Sequence, residues 1–401
     1  MTMTVMDALA AHRPATSLST RPCAERKLRV ALVTGSYNSI QDGVALTLNR
    51  LVRYLQRQGV DVLVFSPASK VVLPHEGKVV PVPSVPIPLR PEYRIALGLP
   101  PEQRRKLEAF APDLIHVATP DFMGHEALRL GGRMKRPVVA SYHTRYETYL
   151  EHYGLGFLAH EAARRIDRFY SACREVYVPS QSMVEALQAH GGGRNIHLWT
   201  RGVDTERFNP ALRSEAWRAA HGFAPDDLVI AFVGRLVREK RLATYAGALQ
   251  MLRQRGVAHR ALIVGDGPDR AAFEAQVPGG VFTGQLDGDA LPTAYAAADL
   301  FFFPSDTETF GAVTLEAMAS GLPTFCADAT GSRSLVAPGV TGFLAPADDC
   351  QRFAGLIEQL AADPARRRAM GLAARERSLT FSWDEAMSVL LNRYEAVAAA
   401  A

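Results

Sequence analysis

"LFFFPSDTETFGAVTLEAMASGLPTFCAD" (300–328) holds one complete unit of a layered fold. "LFFFPS" (300–305) is an apolar run of strand length. An acidic loop follows, and the pattern predicts a helix from Phe310–Gly311 to Ser320, stopped by Gly321 and Pro323. "PTFCAD" (323–328) is again mostly apolar, without polar alternation along its centre. Strands without alternation are buried on both faces, as in parallel sheets covered by helices.

The same rhythm extends in both directions. Downstream of residue 210 it gives "VIAFVG" (229–234), "ALIVGDG" (261–267) and "VFTG" (281–284). Upstream it gives "RVALVT" (29–34), "DVLVFSP" (61–67), "LIHVAT" (114–119), "PVVASYH" (137–143) and "EVYVPS" (175–180). Helices are expected over 44–58, with Leu48, Leu51, Val52 and Leu55 on one face, and over 157–172. The proline-rich stretch 70–100 reads as loop. The pattern predicts two doubly wound α/β domains with a boundary near 198–205. A final helix, 381–400, carries an apolar stripe of Met387, Leu390, Leu391 and Val397 and packs on its own domain or crosses back to the first.

The chain has 401 residues, 48% of them hydrophobic and 21% charged, enough for two buried cores. A net charge of +4 suits anionic small molecules or an acidic membrane surface and is too weak for a nucleic-acid binder. Cys23, Cys173, Cys326 and Cys350 lack the spacing of a metal or redox motif and read as reduced thiols. Residues 1–27 lack a signal-peptide core and read as a loose tail. No apolar stretch is long enough to span a bilayer.

Ligands of open α/β sheets bind beyond the carboxyl ends of the strands. Four loops there carry chemistry. Gly43 precedes a helix, where its backbone can approach an anion; the alternative is a plain turn glycine. His143 ends a strand, where it either meets a substrate hydroxyl or bonds structurally to backbone. In "FVGRLVREKR" (232–241), Arg235 and Lys240 can converge on a diphosphate; the alternative is a solvated basic loop. In the 300–328 unit, the amides of Phe310, Gly311, Ala312 and Val313 open the helix and favour an anion. Glu316, further along that helix, can accept from two vicinal hydroxyls, and Glu308 stands before the helix where a sugar would lie. Asp287 and Asp289 resemble a metal pair, but turn and capping chemistry explains them. "GDGPD" (265–269), with Gly267, lacks the lysine of a phosphate loop and reads as a tight turn near a base.

Taken in order and spacing, the two-glutamate stretch, "GRLVREKR", "RGVDTERFNP", "VGDGP" and the late "FSW" resemble the retaining nucleotide-sugar glycosyltransferases of the GT-B fold. That family includes phosphatidylinositol mannosyltransferases, sucrose synthases and sulfoquinovosyldiacylglycerol synthases, and the match covers nearly everything after residue 28. The resemblance implies two Rossmann-like domains facing a cleft: a tail (1–27), an acceptor-side domain (28–200), a donor domain (201–378) and a C-terminal helix (379–401) returning to the first. It implies catalytic roles for His143, Arg235, Lys240 and Glu308. It implies donor contacts from Gly43, Gly267, Phe282, Thr309, Phe310, Gly311, Ala312, Val313 and Glu316 beside Arg235, Lys240 and Glu308, with no metal and no cofactor. The first loop departs from the family's double glycine, having Gln41-Asp42-Gly43, where Asp42 can face an acceptor hydroxyl.

The expected reaction is transfer of a hexose from GDP-mannose or a UDP-sugar to a lipid or glycan hydroxyl. The expected setting is the cytoplasm, with peripheral contact at the inner face of the cell membrane. Arg129, Arg133, Lys135, Arg136, Arg164, Arg165 and Arg168 either meet anionic headgroups or are solvated helix faces. Competing readings are an epimerase or hydrolase of the same fold and a non-catalytic nucleotide-sugar binder. A dehydrogenase is disfavoured by the missing glycine fingerprint.

Overall fold

A computed structural model describes residues 27–40, 42–87, 90–143, 156–189 and 195–401. The tail with Cys23, Gln41 and the segment following His143 lie outside the described residues.

Two parallel sheets organise the chain. The first domain supplies β1 (Arg29–Val33), β2 (Asp61–Pro67), β3 (Lys78–Val82), the hairpin β4 (Val85–Ile87) and β5 (Arg90–Ile95), then β6 (Leu114–Val117), β7 (Val138–Ser141), β8 (Glu175–Val178) and β9 (Ile196–Leu198). Its helices are α1 (Gly43–Arg57), α2 (Pro101–Phe110), α3 (Phe122–Met134), α4 (Gly156–Ala172) and α5 (Gln181–Ala189). The sheet order is β3-β2-β1-β6-β7-β8-β9.

The second domain supplies β10 (Val229–Val233), β11 (Arg260–Val264), β12 (Val281–Gly284), β13 (Leu300–Phe303), β14 (Thr324–Ala327) and β15 (Gly342–Ala345), ordered β12-β11-β10-β13-β14-β15. Its helices are α6 (Glu215–Ala220), α7 (Leu242–Gln254), α8 (Arg270–Gln276), α9 (Ala290–Ala296), α10 (Ala312–Ala319), α11 (Thr330–Leu335), α12 (Cys350–Ala361) and α13 (Pro364–Ser378). Last comes α14 (Trp383–Ala399).

Each sheet starts at its centre, winds outward to one edge, then returns and winds to the other. The reversal falls between β1 and β6 in one domain and between β10 and β13 in the other. Loops leaving adjacent strands in opposite directions open a crevice at that point, and this is where such sheets bind ligands.

Alternate residues of β1 feed two cores. Ala31 and Val33 pack with Met123, Ala127 and Leu130 of α3. Val30 and Leu32 pack with Leu48, Leu51 and Val52 of α1 and with Met387, Leu390, Tyr394 and Val397 of α14. The stripe of the last helix therefore belongs to the first domain, and α14 crosses back. The two crossings between domains touch: Val203 N–H donates to Phe381 O at 3.1 Å, and a Cβ on Gly202 would stand 2.3 Å from the Trp383 nitrogen.

The stretch 70–100, expected as loop, contains β3, β4 and β5. Pro81 conceals β3, since proline cannot donate to a ladder. Here β3 is an edge strand paired only with β2 in the main sheet, so the missing donor is tolerated. The short strand β15 was also not anticipated from the sequence pattern; "GFLA" offers too few residues to show periodicity.

Candidate active site

Arg235 and Lys240 leave β10, and the 306–311 loop leaves β13, so the two groups flank the second reversal point. Arg235 sits half-buried between two backbone bonds that tie its loop to the neighbouring one: Gly234 N–H to Val264 O at 3.0 Å and Leu236 N–H to Asp266 O at 2.9 Å. Gly267 belongs to that neighbouring turn, and a Cβ there would stand 2.3 Å from Leu236 O. Only glycine allows the two loops to interlock. Phe282, on β12, packs half-buried on the second core, its ring edge-on to Phe273 at 5.6 Å.

Lys240 Nζ and Glu308 Oε1 form an ion pair, both side chains mostly shielded. Ser305 Oγ donates to the same carboxylate oxygen at 3.0 Å, while Thr330 Oγ1 and the Gly331 N–H hold Glu308 O at 3.0 and 2.9 Å. Arg241 pairs with Asp306 at 2.5 Å and fixes the start of the loop. The resemblance implies Lys240 on the donor diphosphate and Glu308 on the sugar; in the structure the two side chains are in direct contact.

Gly311 has φ 94°, a left-handed value that glycine adopts without strain, and it turns the loop into α10. The first amides of α10 lack intrahelical acceptors and point out of its start, as at any helix N-terminus. Ala312 is exposed and Val313 half-buried. Phe310 turns inward, is 5% exposed and packs edge-on to Phe381 at 6.1 Å.

Glu316 is half-buried on the second turn of α10. Tyr295 OH donates to its Oε2 at 3.0 Å. Burial pushes its carboxyl up to about 7, against the pull of the Tyr295 hydrogen bond and of Arg207 and Arg50. Arg50 comes from α1 of the first domain, its guanidinium 4.6 Å over the Trp383 ring.

The first domain meets this site directly. Thr309 Oγ1 donates to His143 O at 2.8 Å and Ser180 Oγ donates to Thr309 O at 2.7 Å. The His143 ring faces the other way: Nε2 lies 2.8 Å from Ser141 Oγ, and Arg201 donates to Nδ1 at 3.2 Å. Gly43 opens α1 with open space where a Cβ would stand. Asp42 caps α1 instead of facing the cleft freely: it accepts from Ala45 N–H at 2.8 Å and from Ser36 Oγ at 3.0 Å.

Asp289 opens α9 without a side-chain capping bond, and Asp287 accepts from Gln285 at 3.3 Å. Among the described residues, no three His, Cys, Asp or Glu side chains gather as a metal site would need. Two of the basic side chains considered for a membrane are engaged locally: Arg129 with Glu126 at 3.0 Å and Arg165 with Glu161 at 3.0 Å. Arg129, Arg136 and Arg174 line an open depression of about 640 Å³ at the amino ends of β7 to β9, away from the cleft. Sequence reasoning missed Tyr295, Ser305, Thr330 and Arg201, whose partners are fixed only by folding.

Residues 41–207 match the model described as Glycosyltransferase Family 4, and residues 213–377 match Glycosyl transferases group 1. A GDP-mannose-dependent alpha-mannosyltransferase of Mycolicibacterium smegmatis is 36% identical over 383 residues, covering 92% of this chain and 98% of that protein. The chain belongs to the nucleotide-sugar glycosyltransferases of the GT-B fold. This glycosyltransferase is also 32% identical to the sulfoquinovosyl transferase SQD2 of Arabidopsis thaliana, over 90% of this chain and 70% of that one. Its fold matches sucrose-phosphate synthase from Thermosynechococcus elongatus with a TM-score of 0.76 at 21% identity, covering 94% of this chain and 100% of that one. It matches Anabaena HepE in complex with UDP and glucose at 0.70 and 21%, covering 92% and 99%. The glycosyltransferase therefore transfers a sugar from a nucleotide donor, and among its described residues no helix is long and apolar enough to cross a membrane.

Proposed function

We propose that the protein is a retaining α-mannosyltransferase that moves mannose from GDP-mannose to a hydroxyl of a lipid acceptor. The observation that carries the reading is the convergence of Arg235, Lys240, Glu308 and the start of α10 at one reversal point, in a chain 36% identical to a GDP-mannose-dependent enzyme over nearly its full length.

The donor diphosphate lies between the Arg235–Lys240 loop and the amides of Gly311, Ala312 and Val313. Lys240 exchanges Glu308 for the phosphate and releases that carboxylate toward the sugar. Glu316, held by Tyr295, accepts from the ribose hydroxyls, and the base rests near Gly267 and Phe282. Breaking the glycosidic bond builds negative charge on the departing phosphate, and preorganised cations and amides stabilise it. The acceptor enters on the same face of the sugar and passes its proton to the leaving phosphate oxygen, so no carboxylate base is required. His143 lines the sugar side through its backbone.

A lipid acceptor is supported by the rim of the first domain. Leu46, Val71, Val72 and Phe122 are each more than half exposed, and all follow the carboxyl ends of β1, β2 and β6. Apolar side chains standing out at a cleft entrance suit an acyl-chain surface. The site of action proposed is the cytoplasmic face of the cell membrane.

The deciding experiment offers GDP-mannose, UDP-glucose and other sugar nucleotides with lipid and soluble glycan acceptors. An α-linked mannolipid formed from GDP-mannose supports the reading. An inverted product, preference for another donor, or consumption of donor without an acceptor overturns it.

A further inference from the structure

The His143 ring turns away from the cleft, and its partners form a continuous chain. Arg201 is buried, 6% exposed, with its guanidinium 4.1 Å over the Trp199 ring. It donates to Trp199 O at 2.8 Å and Thr200 O at 3.2 Å. A guanidinium has donors only, so His143 Nδ1, 3.2 Å from Nη2, must be the acceptor. The ring proton then sits on Nε2 and points at Ser141 Oγ, 2.8 Å away. On its other side Ser141 Oγ is 2.8 Å from His116 Nε2.

His116 is fully buried and ringed edge-on by Tyr177, Trp199 and Tyr394 at 6.2, 6.1 and 5.8 Å. Its Nδ1 lies 2.5 Å from the Tyr394 hydroxyl. Ser141 Oγ thus stands between the two imidazoles and joins them into one chain. Burial and the Arg201 charge keep both rings neutral, His116 as low as about 3.

The two ends of the chain come from the two links between domains. Arg201 lies on the outward link, and Tyr394 lies on the helix that follows the return link. We propose that Ser141, His116, Tyr394 and Arg201 are positioning residues that lock His143 as its Nε2–H tautomer and present its carbonyl to Thr309 across the cleft. The function of this lock rests on the sugar-transfer reading; the tautomer itself does not.

The test uses the full chain labelled with 15N-histidine, with His116→Asn and His143→Asn assigning two of the eleven histidines. Long-range proton–nitrogen spectra are expected to show a neutral ring at both positions, with the His143 proton on Nε2. Tyr394→Phe and Ser141→Ala remove one hydroxyl each. They are expected to shift the His143 signals and lower kcat about tenfold, the worth of one good hydrogen bond, with GDP affinity unchanged. Ser141→Ala carries the test if Tyr394→Phe melts early. A proton on His143 Nδ1, or wild-type kcat in a folded variant of either kind, overturns the proposal. The spectra need no turnover, so a wrong assignment of the reaction leaves the tautomer result standing on its own.

Discussion

Thr309 Oγ1 donates to the carbonyl of His143 at 2.8 Å, joining the two domains next to the residue paired with Lys240. The contact makes the donor loop sensitive to the angle between domains. Replacing Thr309 with valine removes the donor at similar size. We expect unfolding stability to fall by about 1 kcal/mol and donor KM to rise several-fold with kcat nearly kept. Denaturant titration and steady-state kinetics check both halves.

Arg235→Ala and Lys240→Ala are expected to lower kcat by about 10²–10³-fold, the usual cost of removing one group that stabilises developing negative charge. Circular dichroism and melting are expected to stay close to wild type. Near-normal turnover in either variant sinks the assignment of the diphosphate site.

Glu316 gives a pH test with a fixed sign. Its carboxyl is raised to about 7, so it is mostly protonated below that pH and ionised above it. The carboxylate is the better acceptor for two ribose hydroxyls. GDP binding is therefore expected to tighten between pH 6 and 8, by at most about tenfold per unit, and to release protons. Glu316→Gln is expected to flatten the profile in calorimetry. The folded state holds this proton more firmly than the unfolded chain, so the group costs stability as pH rises from the ordinary carboxylate range through 7. Glu316→Gln should thus melt higher at pH 8.

Gly202→Ala tests the contact between the two links. Its new methyl would meet the Trp383 backbone at 2.3 Å, where nothing flexible can yield. Overpacking of this kind costs about 1–3 kcal/mol. A melting curve like that of wild type counts against close contact of the links in solution.

The proposed anion site is built from guanidinium, ammonium and amide groups, which are already cationic or donors. Sugar transfer is expected to persist in excess EDTA. Full loss, restored only by a divalent ion, brings Asp287 and Asp289 back as ligands.

The alternation of strands and helices was legible because parallel strands buried on both faces stay apolar throughout. The positions of Arg235, Lys240, Glu308 and Glu316 were legible because each follows a strand in the chain. The edge strand β3 hid behind Pro81, and β15 behind its brevity. What the sequence could not display is proximity between distant residues. Tyr394 and His116 stand 278 positions apart, and Tyr295 reaches Glu316 from another helix. The inward aim of the His143 ring depends on those long-range partners, so motif spacing alone places the residue without orienting it.

The placement of α14 has a consequence for biosynthesis. The sheet of the first domain leaves the ribosome with the seat for Leu390 and Tyr394 still empty, and that seat fills only after the entire second domain has been translated. The half made first is finished last. Until then its uncovered apolar groove is a natural client for chaperones, and a nonsense codon ahead of Trp383 would yield a product that aggregates through the amino-terminal half.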